Sequence, residues 1–172
     1  MILERYAPSD RDTWTWRLAN IHDIDQIVAI SQKTFCDEVA DISQFDTDLF
    51  AKNLSLGVVR QAFNKLDEQI VVAEELGQVI AWAWLVRGSY TTYSRDEVAD
   101  GRFVHVAVDL PIRKKITLLA QIIQQWILWT TVCGIPVIHS STLQREQQAF
   151  LRLHEQAGFI IRGSTAFYRI PK

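Results

Sequence analysis

Two absences coincide in the second half of the chain. No glycine occurs between Gly101 and Gly134, and no Asp, Glu, Lys or Arg occurs between Lys115 and Arg145. A loop that cradles pyrophosphate on its backbone N–H groups relies on glycine, because a side chain holds the ligand away. The usual form of that loop is therefore excluded here. The charge-free stretch from Ile116 to Ile138 is long enough to span a bilayer. However, Gln121, Gln124 and Gln125 sit in its middle, and Gly134 and Pro136 interrupt its end. Unpaired amides in hydrocarbon are costly, so a soluble helix with no membrane role is expected. An uncharged outer face with Trp126 and Trp129 would suit a protein partner or self-association.

Other scarcities narrow the function classes. The formal net charge of −2 supplies no field to draw in nucleic acid or an anionic membrane. Cys36 and Cys133 lie far apart and match no metal-ligand spacing, which fits two small buried hydrophobes in a reduced, cytoplasmic setting. Four histidines without a cysteine or carboxylate at ligand spacing predict no metal site. The opening residues lack a basic region followed by an apolar run, so no signal peptide is expected.

What is present is an ordinary globular composition. The chain has 172 residues, 48% hydrophobic and 22% charged, enough for one domain around a single core, with residues 1–12 as an N-terminal extension. Alternation over Thr13–Ala19 predicts a first strand. Ile24, Ile27, Val28 and Ile30 stripe a first helix, Asp37–Gln44 reads as a loop, and a second helix follows from about Asp46 to Lys65. Gln69–Val86 is a hairpin about Gly77, Ser89–Arg102 a polar loop, and Phe103–Val108 a strand covered on both faces. Pro111 opens a long helix from Ile112 to about Val132. Ile135–Ile138 reads as a strand, Arg145–Gln156 as a helix ended by Gly158, and Phe159–Ile161 with Thr165–Ile170 as a last strand pair. The order β-α-α-β-β-β-α-β-α-β-β predicts an α/β (α+β) fold. Its mixed, mainly antiparallel sheet carries helices on both faces.

That order, with Gln147-Gln148-Ala149-Phe150-Leu151-Arg152-Leu153-His154-Glu155-Gln156-Ala157-Gly158-Phe159 and Val106-Ala107-Val108 after the hairpin, resembles the GCN5-related N-acetyltransferase superfamily from about Trp14 to Ile170. The family's cofactor loop, Arg/Gln-x-x-Gly-x-Gly/Ala, falls on Arg113-Lys114-Lys115-Ile116-Thr117-Leu118, with Ile116 and Leu118 at the two small-residue positions. His154 falls where the family carries the tyrosine that protonates the departing thiolate.

The resemblance implies an acyltransferase that uses acetyl-CoA, or a related acyl-CoA, and an amine acceptor. Backbone N–H groups near Ala107 and Val108 would meet the thioester carbonyl, and Arg113, Lys114, Lys115 and Thr117 would meet the cofactor. His154 would be the general acid, with His105 as base or proton relay; the ordinary reading of both is a histidine with no chemical task. His139, Ser140 and Ser141 would face the same cleft. Carboxylates Asp37, Glu38 and Asp41 in the loop between the first two helices would suit a cationic amine, or form a solvated loop. The other reading is a non-catalytic member of a larger assembly, such as a virion component.

Overall fold

The computed structural model describes residues 5–7, 9, 12–40, 43–142 and 147–162. Its elements run β1 (Thr15–Leu18), α1 (Ile24–Glu38), α2 (Thr47–Phe63), β2 (Glu68–Glu75), β3 (Gln78–Tyr90), β4 (Glu97–Val106), α3 (Ile112–Cys133), β5 (Val137–Ser140) and α4 (Gln148–Gln156). The strands form one sheet in sequence order, with every neighbouring pair antiparallel except β4–β5.

Local chemistry sets most boundaries. Asn20 and Asp23 exchange side-chain and backbone hydrogen bonds in a capping box that opens a short 3-10 turn leading into α1. The Asp46 carboxylate accepts from the Leu49 N–H and caps α2. Leu76 and Gly77 both take positive φ (50° and 77°), the two-residue turn whose twist matches a β-hairpin. Gly134 ends α3 in the left-handed region at φ 69°, as its place after the apolar run requires.

The core lies on both sides of β3, whose residues Val79 to Leu85 are all buried. On one face, Ile24, Ile27 and Val28 of α1 and Leu54 and Val58 of α2 pack on Ile70, Val72, Trp82 and Trp84. On the other, Ile122, Trp126 and Trp129 of α3 pack on Val71, Ala83, Leu85 and Ala99. Leu153 of α4 rests on Ala120 and Ile123 of α3.

Several expectations need correction. Trp126 and Trp129 do not form an outer face: they are only 1% and 8% exposed. Trp126 seats on Gly101, where an added Cβ would lie 2.7 Å from its ring, and the Trp129 indole donates to the Lys65 carbonyl at 3.0 Å. The outward large apolar residues of α3 are instead Ile112, Leu128 and Val132. By length and composition α3 could cross a membrane, yet it is the core helix of this sheet, with 44% of its most apolar window buried.

The polar segment Ser89–Arg102 is largely strand. Ser89 and Tyr90 pair with Val98 and Glu97, and Arg87 holds Glu97 through two 2.7 Å contacts. Polarity there marks a solvated hairpin end rather than a loop. α1 runs on through Glu38, β5 starts two residues later than expected, and α4 is described from Gln148. Phe159–Ile161 has no strand pairing among the described residues, and the strand expected beside it, Thr165–Ile170, lies outside them.

Candidate functional site

β4 and β5 pair only from Val98↔Val137 to Gly101↔Ser140. β5 ends there while β4 continues to Val106, so among the described residues Arg102–Val106 has a free edge where the two strands part. The opposite edge of β4 stays laddered to β3 through Trp84↔Phe103, Ala83↔Val104, Trp82↔His105 and Ala81↔Val106. The Ala107 N–H donates to the Ile80 carbonyl at 2.9 Å. It is therefore committed to β3 and does not serve as the open donor expected of it. Because amides alternate along an antiparallel strand, those of Val104 and Val106 face the free edge instead. Val108 stands beyond the strand, its carbonyl accepting from the Lys115 ammonium.

The cations of the following turn are mostly committed as well. Lys114 Nζ lies 2.6 and 2.7 Å from the Glu75 carboxylate oxygens and 5.0 Å from the centre of the Trp14 ring. Lys114, together with the Thr13 hydroxyl, holds Glu75 below the usual carboxylate range. Lys115 is tied to Val108. Arg113 is exposed and has no side-chain partner among the described residues. The Thr117 hydroxyl turns back to the Arg113 carbonyl at 3.1 Å, which closes it within the helix.

Pro111 opens α3 without any side-chain cap, so its first N–H groups stay unpaired by side chains. Leu118, at one small-residue position of the loop pattern, is fully buried against Ala73, Ile80 and Ala81. It points into the core, not across the turn. Ile116, at the other, packs half-buried in the cluster of Ala120, Ile123 and Leu153, narrowing the space between α3 and α4.

His154 is 2% exposed. Its Nδ1 lies 2.9 Å from the Phe150 carbonyl and its Nε2 3.0 Å from the Ser140 hydroxyl. A carbonyl only accepts, so Nδ1 carries the proton. Burial lowers the imidazole's pKa against the carbonyl's opposing pull, leaving it neutral near pH 7. Nε2 then accepts from Ser140, and an imidazolium donor at this position is not what the surroundings favour. Ser140 closes the β4–β5 ladder, which puts the pair at the apex of the strand divergence.

His105 lies on the other face of the sheet. It stacks on Trp82 with 5.5 Å between ring centres, and burial pushes its pKa down to about 4. Its Nδ1 is buried without a hydrogen-bond partner among the described residues. His139 points to neither histidine; it pairs with Asp100 at 2.7 Å and is largely exposed. The expected cluster of His105, His139 and Ser140 is thus dispersed over three surroundings. The side chains of Asp37 and Glu38, and Asp41 altogether, lie outside the described residues. Among the described residues no group of three or more potential metal ligands occurs.

Sequence reasoning left two features unread. A pocket of about 300 Å³ lies between α2 and β4, lined by Phe50, Asn53, Leu56, Arg60, Trp84, Arg102 and Phe103. Gln121 is buried, accepting from the Trp14 and Trp16 indoles at 3.0 and 2.7 Å and donating to Asp12 at 3.0 Å. An amide inside an otherwise apolar helical run was the available signal for the second. For the first there was none, because its residues come from three separate elements.

No family model matches this chain, and no curated protein does. Solved structures resemble it over nearly its whole length. AAC(6')-Iy bound to the bisubstrate analogue CoA-S-monomethyl-acetylneamine superposes with a TM-score of 0.69 at 16% identity, covering 94% of this chain and 100% of the other. Glucosamine-6-phosphate N-acetyltransferase from Arabidopsis thaliana gives 0.65 at 12%, covering 93% and 100%. A putative acetyltransferase from Salmonella typhimurium, with acetyl-CoA as its cofactor, gives 0.64 at 20%, covering 88% and 82%.

Proposed function

We propose that this chain, which has the fold of the GCN5-related N-acetyltransferase superfamily, transfers an acyl group from a CoA thioester to an amine. The observation that carries the reading is the β4–β5 divergence, with the free-edge amides of Val104 and Val106 along one side and Ser140–His154 at its apex. A thioester when bound supplies an activated acyl carbon with a stable thiolate as leaving group. The free β4 edge offers N–H donors where negative charge would grow on a carbonyl oxygen. Ser140, its hydroxyl polarised by neutral His154, stands ready to pass the amine's proton onward. At the other end, Arg113 and the uncapped first turn of α3 suit a phosphate. Leu118 leaves that turn clear, whereas Ile116 restricts the passage beside it.

Calorimetry with acetyl-CoA tests this. Binding is expected for the wild type, weakened about tenfold by Arg113→Ala, which removes a charge-assisted contact. Lys114→Ala changes it less than about twofold, because that charge is already matched by Glu75. Absence of any binding heat at millimolar acetyl-CoA would sink the enzyme reading. It would leave the second one, a non-catalytic component of a cytoplasmic, virion or other assembly. The commitment of Lys114 and Lys115 to the chain's own atoms favours that second reading.

A further inference from the structure

We propose that the pocket between α2 and β4 is a binding site for a small planar anion of the aromatic carboxylate class. The register of β3 and β4 slips between Trp84↔Phe103 and Leu85↔Gly101, leaving Arg102 as the extra residue of a bulge. Bulges re-aim side chains, and this one sets the Arg102 guanidinium over the Trp84 ring, 5.6 Å from its centre. Phe103, half-buried and stacked on the almost fully buried Trp84 with ring centres 6.1 Å apart and planes inclined by 30°, provides the flat apolar surface, with Phe50 edge-on to it at 5.4 Å.

The charges in the pocket are unequal. Arg60 is matched by the buried Glu68, Nε to Oε1 at 2.6 Å and Nη2 to Oε2 at 3.2 Å, and Glu68 also accepts from the Trp84 indole at 2.9 Å. No carboxylate lines the pocket, and Arg102 has no anionic partner among the described residues. One uncompensated guanidinium above aromatic surface, with the Asn53 amide at the rim, selects a flat apolar body that carries one negative group. A volume of about 300 Å³ admits a one- or two-ring molecule. A cationic molecule of the same shape would meet Arg102 and be repelled. The site includes neither Ser140 and His154 nor the α3 turn, but Arg102 and Phe103 belong to the stretch of β4 that carries the Val104 and Val106 amides, so it adjoins the acyl-transfer site.

The test uses three probes that share one ring: indole-3-acetate, indole-3-acetamide and tryptamine, titrated calorimetrically into the whole chain without acetyl-CoA. Indole-3-acetate is expected to bind about tenfold more tightly than the amide, with tryptamine weakest, as one charge-assisted contact implies. Arg102→Gln should lower indole-3-acetate affinity about tenfold, and Arg102→Lys should keep part of it. Arg102→Glu should reverse the order in favour of tryptamine. Far-ultraviolet circular dichroism identical to wild type would establish that the variants are folded. Equal binding of the three probes, preference for tryptamine by the wild type, no binding at 5 mM (roughly the weakest useful affinity), or an Arg102→Gln titration like wild type overturns the proposal.

Discussion

At the head of α3, Lys114 is held by Glu75, Lys115 by the Val108 carbonyl and the Thr117 hydroxyl by the Arg113 carbonyl. Across the sheet, on the α1/α2 side of β4, Arg102 has no carboxylate partner among the described residues, and the buried His105 Nδ1 has no hydrogen bond among them. The difference follows from what each region packs against. The α3 turn abuts the β2–β3 hairpin, whose Glu75 supplies a counter-charge. On the aromatic side, Glu68 is already shared by Arg60 and Trp84. A buried polar group without a partner is costly, which applies to His105 Nδ1 and not to the exposed Arg102. Buried groups without a partner among the described residues occur on α3 as well, at Gln125 Nε2 and Trp126 Nε1.

The largest contrast should come from the core beneath α3. Trp126→Ala removes a ring seated on Gly101 and is expected to cost about 3–5 kcal/mol. Leu128→Ala, on the exposed side of the same helix, should stay within about 0.5 kcal/mol. Urea unfolding of both variants checks this, and a mild Trp126→Ala would mean that the α3 side is loosely packed.

Next in size is the pH response of the aromatic side. His105 has a folded pKa of about 4 against 6.5 unperturbed, so between those values the unfolded chain binds more protons. Stability is thus fully present above pH 6.5 and is lost as pH falls through about 4. The loss is on the order of 2 kcal/mol, allowing for the solvent that reaches the ring. His154 acts in the same direction. His105→Phe, which can still stack on Trp82, should flatten most of this slope in unfolding curves between pH 7 and pH 4.5, values chosen around the window. An unchanged slope would place the acid sensitivity elsewhere.

The smallest effect should be that of the committed cation. Lys114→Ala breaks a pair whose side chains are 19% and 20% exposed, for a loss of about 0.5–1 kcal/mol in urea unfolding. A loss several times larger would show that this turn is held by Lys114 far more firmly than one ion pair explains.

The hairpin about Gly77, the helix after Pro111 and its stop at Gly134 were legible because each depends on local backbone chemistry. Apolar periodicity likewise placed α1 and α2. The same reasoning failed for Glu97–Arg102, because Glu97, Asp100 and Arg102 make it read as polar while Val98, Ala99 and Gly101 are buried between β3 and β5. It failed again at Trp126 and Trp129, because absence of charge was taken for outward exposure, whereas those two indoles are the part of α3 that the sheet covers.

Sequence alone determined the order of elements from β1 to α4, the helical or extended character of most of them, and which residue types stand at the head of α3. These follow from propensity, period and turn chemistry, all within a few residues of chain. Tertiary structure decided which groups remain free to act. It turned the Ala107 amide to Ile80, gave Ser140 to His154, gave Glu75 to Lys114 and left Arg102 without a counter-charge among the described residues. A side chain's availability depends on partners tens of residues away, and only the packed sheet brings those partners within hydrogen-bond reach.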